Sequence, residues 1–562
     1  MTNAKKLLAL LLALVMLMGV LAACGGDAPS GVANTGKDQS NAEGNAEGGE
    51  VAGNEGAAVE STGPKYGGHL NVHTMYDTSN IDYLRSQGVW GYVWSSCVYE
   101  SVLTRDADYN IAPGVCNYEL SDDMLTLKLW PREGVKFHNG DTVDLYDVEA
   151  SVNRFLNNYS SAKTFVTPYV KSVEIVDDKL VLTFSQNREK IMYYIANSRP
   201  WCAVIPKEIC EKYPNGIFTS VEDAIATGPY KITGFTAGVK IELEKFADYV
   251  PFDGGTGMAG PKYGYLDSIT YHYNGDYSSS TLAMLSGDYD VSDVIEEDYR
   301  PMAEGMGLTR HNLGDTVTGL YALFNTYGSN NVCAKYPDLR KAIMAAIDYE
   351  ELVEIYTDGG TTVGGSPIIL DEYDTDIFET APYFGEQNLD LAEEYLEAAR
   401  AAGYNDEPVQ LVTNSSSMAV ELLALLGSYL DAAGINYDKE TMESVAYTKF
   451  IATADNNWDL IIQYPLLGYT PATMHDAIKL HYWKSEAKDA LYDKLDQLEP
   501  GSQEYLDAWY ELAQLTIDEC AVAYFGTTQW IWYHSETLHT NDPGPERYFY
   551  NAYWDNPEAH KK

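Results

Sequence analysis

Positive charge is scarce. Lys and Arg total 37 against 83 Asp and Glu in 562 residues, for a formal net charge of −46. Nucleic-acid binding needs clustered Lys and Arg on phosphates, so this balance excludes that class. It also excludes electrostatic adhesion to an anionic bilayer. Several chemical signatures are missing as well. There is no CxxC pair, which removes zinc knuckles and thioredoxin-like redox sites. There is no HExxH, GxSxG, Walker A or SxxK sequence. The ten His are scattered. His69 and His73 alternate along a predicted strand and share a face, and His475 and His481 flank an amphipathic stretch. Neither pair has ligand spacing, so no metal and no cofactor is expected.

Two apparent motifs fail on context. Gly255-Thr256-Gly257-Met258-Ala259-Gly260 matches GxGxxG but lies between Pro251-Phe252-Asp253-Gly254 and Pro261. It therefore reads as a loop, with no strand before it and no helix after it. Asp106-Ala107-Asp108-Tyr109-Asn110 begins like a calcium loop but lacks the Gly at the sixth place and the Glu at the twelfth. It reads as a turn between strands.

What is present is hydrophobic and ordered. The chain is 45% hydrophobic and 12% aromatic, with 45 Tyr, ample for buried cores. Lys5 and Lys6 precede an uncharged apolar run, Leu7 to Ala23, that has the length of a secretory h-region. It ends Leu21-Ala22-Ala23-Cys24-Gly25, which resembles a bacterial lipobox: Cys24 is the expected lipidation site and new N-terminus. Removing residues 1–23 takes away Lys5 and Lys6 and no acid, moving the formal charge from −46 to −48. Residues 25–64 carry no aromatic and repeat Asn-Ala-Glu-Gly. Such a segment cannot bury enough apolar surface to offset its chain entropy and reads as a disordered acidic tether. Cys97, Cys116, Cys202, Cys210, Cys333 and Cys520 remain. Export permits disulfides, six thiols allow fifteen pairings, no spacing selects one, and buried free thiols fit as well.

Beyond the tether, strand and helix patterns interleave without a fixed repeat, which predicts α/β domains. Period-2 runs predict strands at Leu125–Trp130, Leu180–Phe184 and Lys240–Lys245. Helical spacing predicts helices over Asp144–Leu156, Leu339–Ile355, Leu389–Ala402, Ala419–Ala433 and Tyr505–Cys520, with Gly403 and Gly434 as C-caps.

Six blocks in order resemble the family 5 extracellular solute-binding proteins of ABC transporters, the oligopeptide, dipeptide and nickel binders. The first runs from Tyr99-Glu100-Ser101-Val102-Leu103 through Ile111-Ala112-Pro113-Gly114 and Ser121-Asp122-Asp123. It continues with Arg132-Glu133-Gly134-Val135-Lys136-Phe137-His138-Asn139-Gly140-Asp141, then Asp147-Val148 and Ser151-Val152-Asn153-Arg154. The others are Ala226-Thr227-Gly228-Pro229-Tyr230-Lys231, Ala247-Asp248-Tyr249 and Leu285-Ser286-Gly287-Asp288-Tyr289-Asp290-Val291. Asn325 with Asp338-Leu339-Arg340-Lys341-Ala342-Ile343 follows, and Ala398-Ala399-Arg400-Ala401-Ala402-Gly403-Tyr404 closes the series. Together they cover nearly all of residues 66–562.

The resemblance implies a two-lobed, periplasmic-binding-protein-like α/β fold with an extra inserted domain and a hinge between lobes. It implies a first lobe of residues 66–103, 224–315 and 524–562, an inserted domain of 104–223 and a second lobe of 316–523. The chain would cross between lobes near Leu323-Phe324-Asn325 and Ala523-Tyr524-Phe525. It also implies a monomeric, non-enzymatic lipoprotein on the extracytoplasmic face of the cell membrane, delivering a small solute or peptide to ABC permease subunits. In peptide-binding members an acidic pair in the second lobe meets the ligand's ammonium. The matching stretch here, Asp459 to Thr470, lacks that pair. A neutral or sugar-like solute, or a peptide held differently, is therefore an alternative, as is a ligand-sensing lipoprotein. A secreted hydrolase would need a nucleophile motif that the sequence lacks. Candidate pocket residues are Tyr92, Trp94, Trp201, Ser415, Ser416, Gln463, Tyr464 and Tyr469: aromatics that offer stacking faces, and polar groups at strand ends.

Overall fold

The computed structural model describes residues 63–561 apart from 75–79, 85–88, 109, 198, 294, 313–317, 357–361, 366–382, 384–385, 416, 452–456, 464–481, 496, 499–501, 529–530 and 542–547. Cys24 and the tether lie outside the described residues, as do Ser416, Tyr464, Tyr469, His475 and His481. Residues 63–562 form one compact unit. Among the described residues no helix is long and apolar enough to cross a membrane.

In chain order the elements used below begin with β1 (His69–Thr74) and α1 (Val89–Val98). Then come β2 (Cys116–Leu120), β3 (Thr126–Pro131), α2 (Leu145–Asn158), β4 (Val170–Val176) and β5 (Lys179–Phe184). The chain continues through β6 (Tyr230–Thr236), β7 (Lys240–Lys245), β8 (Ser268–Tyr273), α3 (Tyr277–Ser286), β9 (Val291–Ser292) and β10 (Leu308–Asn312). Next are β11 (Thr318–Phe324), α4 (Pro337–Ala346), α5 (Tyr349–Tyr356), β12 (Thr362–Gly365), α6 (Leu389–Ala401) and β13 (Val409–Asn414). The last are α7 (Ser417–Ala432), β14 (Tyr437–Met442), β15 (Leu460–Gln463), α8 (Gln503–Glu519), β16 (Val522–Thr528) and β17 (Ile531–Ser535).

Three sheets organise these elements. A seven-stranded sheet runs β10-β17-β9-β1-β8-β7-β6, a six-stranded sheet β12-β16-β11-β15-β13-β14, and a four-stranded sheet β2-β3-β5-β4. One hydrophobic core joins the seven-stranded and four-stranded sheets, and a separate core lies around the six-stranded sheet. Two large cores, one shared by two sheets and one around the third, make two lobes.

The sequence patterns account for most elements. Leu180, Leu182 and Phe184 alternate inward along β5, and Ile241 and Leu243 along β7. Helix α2 starts where Asp144 accepts the backbone N–H groups of Tyr146 and Asp147, while Asp147 accepts that of Asp144. This closes a reciprocal cap on three otherwise orphaned donors. The Asp106 side chain accepts the N–H groups of Asp108 and Asn110, which makes the expected turn. Gly403 and Gly434 follow their helices at positive φ. The single helix expected over Leu339–Ile355 is two. Ile347 is extended, and Asp348 restarts the helix by accepting the N–H of Glu351 on its side chain and that of Leu352 on its carbonyl. Helical spacing alone does not register this, because the apolar stripe continues through the break.

The family-like blocks meet in space. Glu100, buried, accepts Tyr249 Oη at 2.8 Å, Thr227 Oγ1 at 3.1 Å and Lys262 Nζ at 3.3 Å. Ser151 Oγ and the backbone of Ile205 exchange two 3.0 Å hydrogen bonds. Arg154 pairs with buried Asp82 at 2.5 Å between the rings of Tyr83 and Phe218. Arg340 binds the carbonyls of Cys333, Cys520 and Glu519, closing the end of α8. The six described cysteines are buried and unbridged.

Candidate functional site

Strand directions define the edge at which the two lobes meet. In the seven-stranded sheet β1, β8 and β9 are parallel, and β17 is antiparallel to both β9 and β10. Hence β10 runs with β1, and the carboxyl ends Thr74, Tyr273, Ser292 and Asn312 lie along one edge. The chain leaves that edge after Asn312 and enters the other sheet at Thr318. It returns after Thr528 and re-enters at Ile531. Asn312 pairs with Ile531, and Thr318 with Thr528, so the two crossings leave from and arrive at paired strand residues. The residues expected at the crossings lie deeper: Leu323 pairs with Val522 inside the six-stranded sheet, and residues 524–528 belong to that sheet as well.

In the six-stranded sheet β15 is antiparallel to β11, while β13 is parallel to both β15 and β14. Strand β11 starts at the crossing, so β13, β14 and β15 end there, at Asn414, Met442 and Gln463. Carboxyl ends of parallel strands from both sheets thus converge on one edge. In open α/β sheets this is where ligands bind, because side chains and backbone groups past the strand ends have no neighbour within the sheet.

The sequence candidates fall into two places. Ser415, exposed, and Gln463 lie at this edge, following β13 and ending β15. Tyr92 and Trp201 come together elsewhere, within the core shared by the seven-stranded and four-stranded sheets. Trp201 Nε1 donates to Tyr92 Oη at 3.2 Å, Tyr159 stacks on Trp201, and the Arg199 guanidinium lies 4.4 Å from the Tyr92 ring centre. Trp94 is 2% exposed and packs edge-on against Tyr99.

A polar layer lies between β1, β8 and α3. His69, Asn71 and His73 share a face, as their alternation predicts. Asn71 Oδ1 meets His69 Nε2 at 3.2 Å and His272 Nε2 at 3.0 Å. Asp290 accepts the Asn71 N–H at 2.7 Å. Burial, and then the nearby Lys240, His69 and His73, lower His272 to about 4. His73 Nε2 lies 2.9 Å from the Asn274 carbonyl and 2.9 Å from Ser280 Oγ, and its Nδ1 lies 2.9 Å from Ser292 Oγ. A carbonyl only accepts, so Nε2 carries a proton. Asp293, the first residue past β9, places a carboxylate oxygen 3.4 Å from His73 Nδ1, and its side chain is 3% exposed. Asp293 belongs to no motif of its own. The signal was its place, two residues past Asp290-Val291 in a family-like block.

Two sheets with separate cores, joined by paired crossings at the carboxyl ends of their strands, define a two-lobed binding-protein class. The chain belongs to the bacterial extracellular solute-binding proteins, family 5, whose middle region matches residues 110–487. It is 25% identical over 327 residues to the oligopeptide-binding protein AppA of Bacillus subtilis (strain 168), covering 57% of this chain and 57% of that one. The fold is similar to the solved structure of Bacillus subtilis AppA in complex with a nonapeptide, with TM-score 0.70 and 19% identity over 88% of this chain and 100% of that chain. It is also similar to AgaA from A. tumefaciens R10 in complex with agropinic acid, with TM-score 0.71 and 21% identity over 87% and 99%.

Proposed function

We propose that this protein captures a small solute or a peptide at the outer face of the cell membrane and hands it to ABC permease subunits, without chemistry of its own. The observation that carries this reading is the convergence of strand ends from two separately packed lobes on one edge. Lobe closure over a solute at that edge is the motion such a design permits. Cys24 would hold the protein to the membrane through lipid and the 25–64 tether, with the body a monomer. The peptide ligand of Bacillus subtilis AppA supports a peptide.

One observation favours a non-peptide solute instead. The only carboxylate of the Asp459–Thr470 stretch, Asp459, is engaged inside the lobe, accepting the N–H groups of Cys333 at 3.0 Å and Gln410 at 2.9 Å. Each of its oxygens thus already holds a backbone N–H of its own lobe.

The test is native mass spectrometry of the purified body followed by a thermal-shift screen of peptides, sugars and metal chelates. A captured solute raises the melting temperature by mass action. Stoichiometric retention of one solute class is the expected result. Catalytic turnover of the retained compound would overturn the reading.

A further inference from the structure

We infer that Asp293 is the anionic contact for an ammonium group on the captured solute. The inference rests on the capture reading and names the chemistry of that same edge. Both carboxylate oxygens of Asp293 are buried, and neither accepts a hydrogen bond among the described residues. Burying a carboxylate with no donor costs several kcal/mol, on the order of the penalty for an unpaired buried charge. A residue that served only the fold would recover that cost with donors, as two other buried carboxylates do. Asp290 takes the Asn71 backbone and side-chain N–H groups, and Asp459 takes two backbone N–H groups.

The nearest charged group recorded beside Asp293 is the imidazole of His73. His73 commits its Nε2 proton toward the Asn274 carbonyl and faces the Ser292 hydroxyl with Nδ1, stacked on Tyr289 at 5.0 Å. The imidazole is thus held beside the carboxylate, 3.4 Å away and outside hydrogen-bond geometry. Position supplies the other half of the argument. Asp293 follows the carboxyl end of β9, which lies between β1 and β17 in the interior of the seven-stranded sheet and on the edge that faces the second lobe. An ammonium entering there brings three N–H donors and a charge of the right sign. Charge-assisted hydrogen bonds in a site shielded from water are the strong ones. The anion for a cationic solute is therefore supplied by the first lobe, whereas the Asp459 stretch of the second lobe supplies none.

The experiment uses the purified body and one probe mixture, a casein digest supplemented with free amino acids and polyamines. The mixture is tested before and after acetylation with acetic anhydride, which removes the ammonium charges. Compounds retained in native mass spectrometry are then titrated against wild type and Asp293→Asn. Wild type is expected to lose at least about tenfold in affinity when its preferred compound is acetylated, with Asp293→Asn losing a similar factor for the free amine and nothing further on acetylation. Equal affinity of wild type for the free and acetylated forms overturns the inference while leaving capture intact. Retention of nothing from either mixture overturns peptide or amine capture, and the inference falls with it. The wild-type comparison decides the question even if Asp293→Asn does not fold.

Discussion

At the scale of single residues, His138 shows how a turn in a family-like block is tied to the lobe. Its Nε2 lies 3.1 Å from the Gly228 carbonyl and its Nδ1 accepts the N–H of Ala226 at 3.3 Å. One proton satisfies both contacts, and a second on Nδ1 would face a donor. Burial lowers this histidine to about 4. A histidine whose folded value lies below its unfolded value of about 6.5 stabilises the fold fully above that value and loses this contribution as pH falls toward 4. Between pH 7 and pH 4.5 the loss is about 2–3 kcal/mol at 1.4 kcal/mol per unit. Urea midpoints measured at both pH values should show a smaller acid destabilisation for His138→Gln than for wild type. An equal fall in both proteins would show that His138 is not neutral by constraint.

At the scale of elements, two glycines separate two physical causes. A Cβ on Gly228 would lie 2.5 Å from the Val98 carbonyl oxygen, where the two segments of the first lobe press backbone to backbone. A Cβ on Gly287, at φ +82° after α3, would meet nothing within 4 Å. Gly228→Ala should therefore cost about 2 kcal/mol or more by overpacking, and Gly287→Ala about 1 kcal/mol through the left-handed backbone alone. Denaturant melts of the two variants check the ranking, and equal losses would contradict it. The elements themselves were largely legible from the chain, since period 2 marks β5 and β7 and the Asp144 cap marks α2. The split at Asp348 was not, because the apolar stripe runs through it. The site was legible only in part. Ser415 follows a strand end that local pattern reveals, and Gln463 stands out through the altered Asp459–Thr470 stretch. Asp293 escaped because its lack of donors depends on His73 and Ser292, brought together from positions 219 residues apart. Tyr92 and Trp201 look like stacking platforms in sequence, and only the fold shows how much of each ring is occupied by Tyr159, Arg199 and one another.

At the scale of the whole molecule, the described body carries its own cores. The chain from Lys65 onward should therefore be soluble and melt at the same temperature as the full-length protein, to within about 2 °C, because residues 25–64 lack the apolar surface to contribute a core. A melting temperature lowered by several degrees would assign the N-terminal segment a structural role. The acidic balance of the chain sets solubility and repulsion from anionic surfaces, while the proposed choice of solute would rest on local groups past the strand ends.

The paired crossings set the mechanics of that choice. Asn312 pairs with Ile531 on one side and Thr318 with Thr528 on the other, so the two links leave and arrive as neighbours. In the proposed capture, bending of the lobes about these neighbouring strand ends is the motion that would carry closure to a permease.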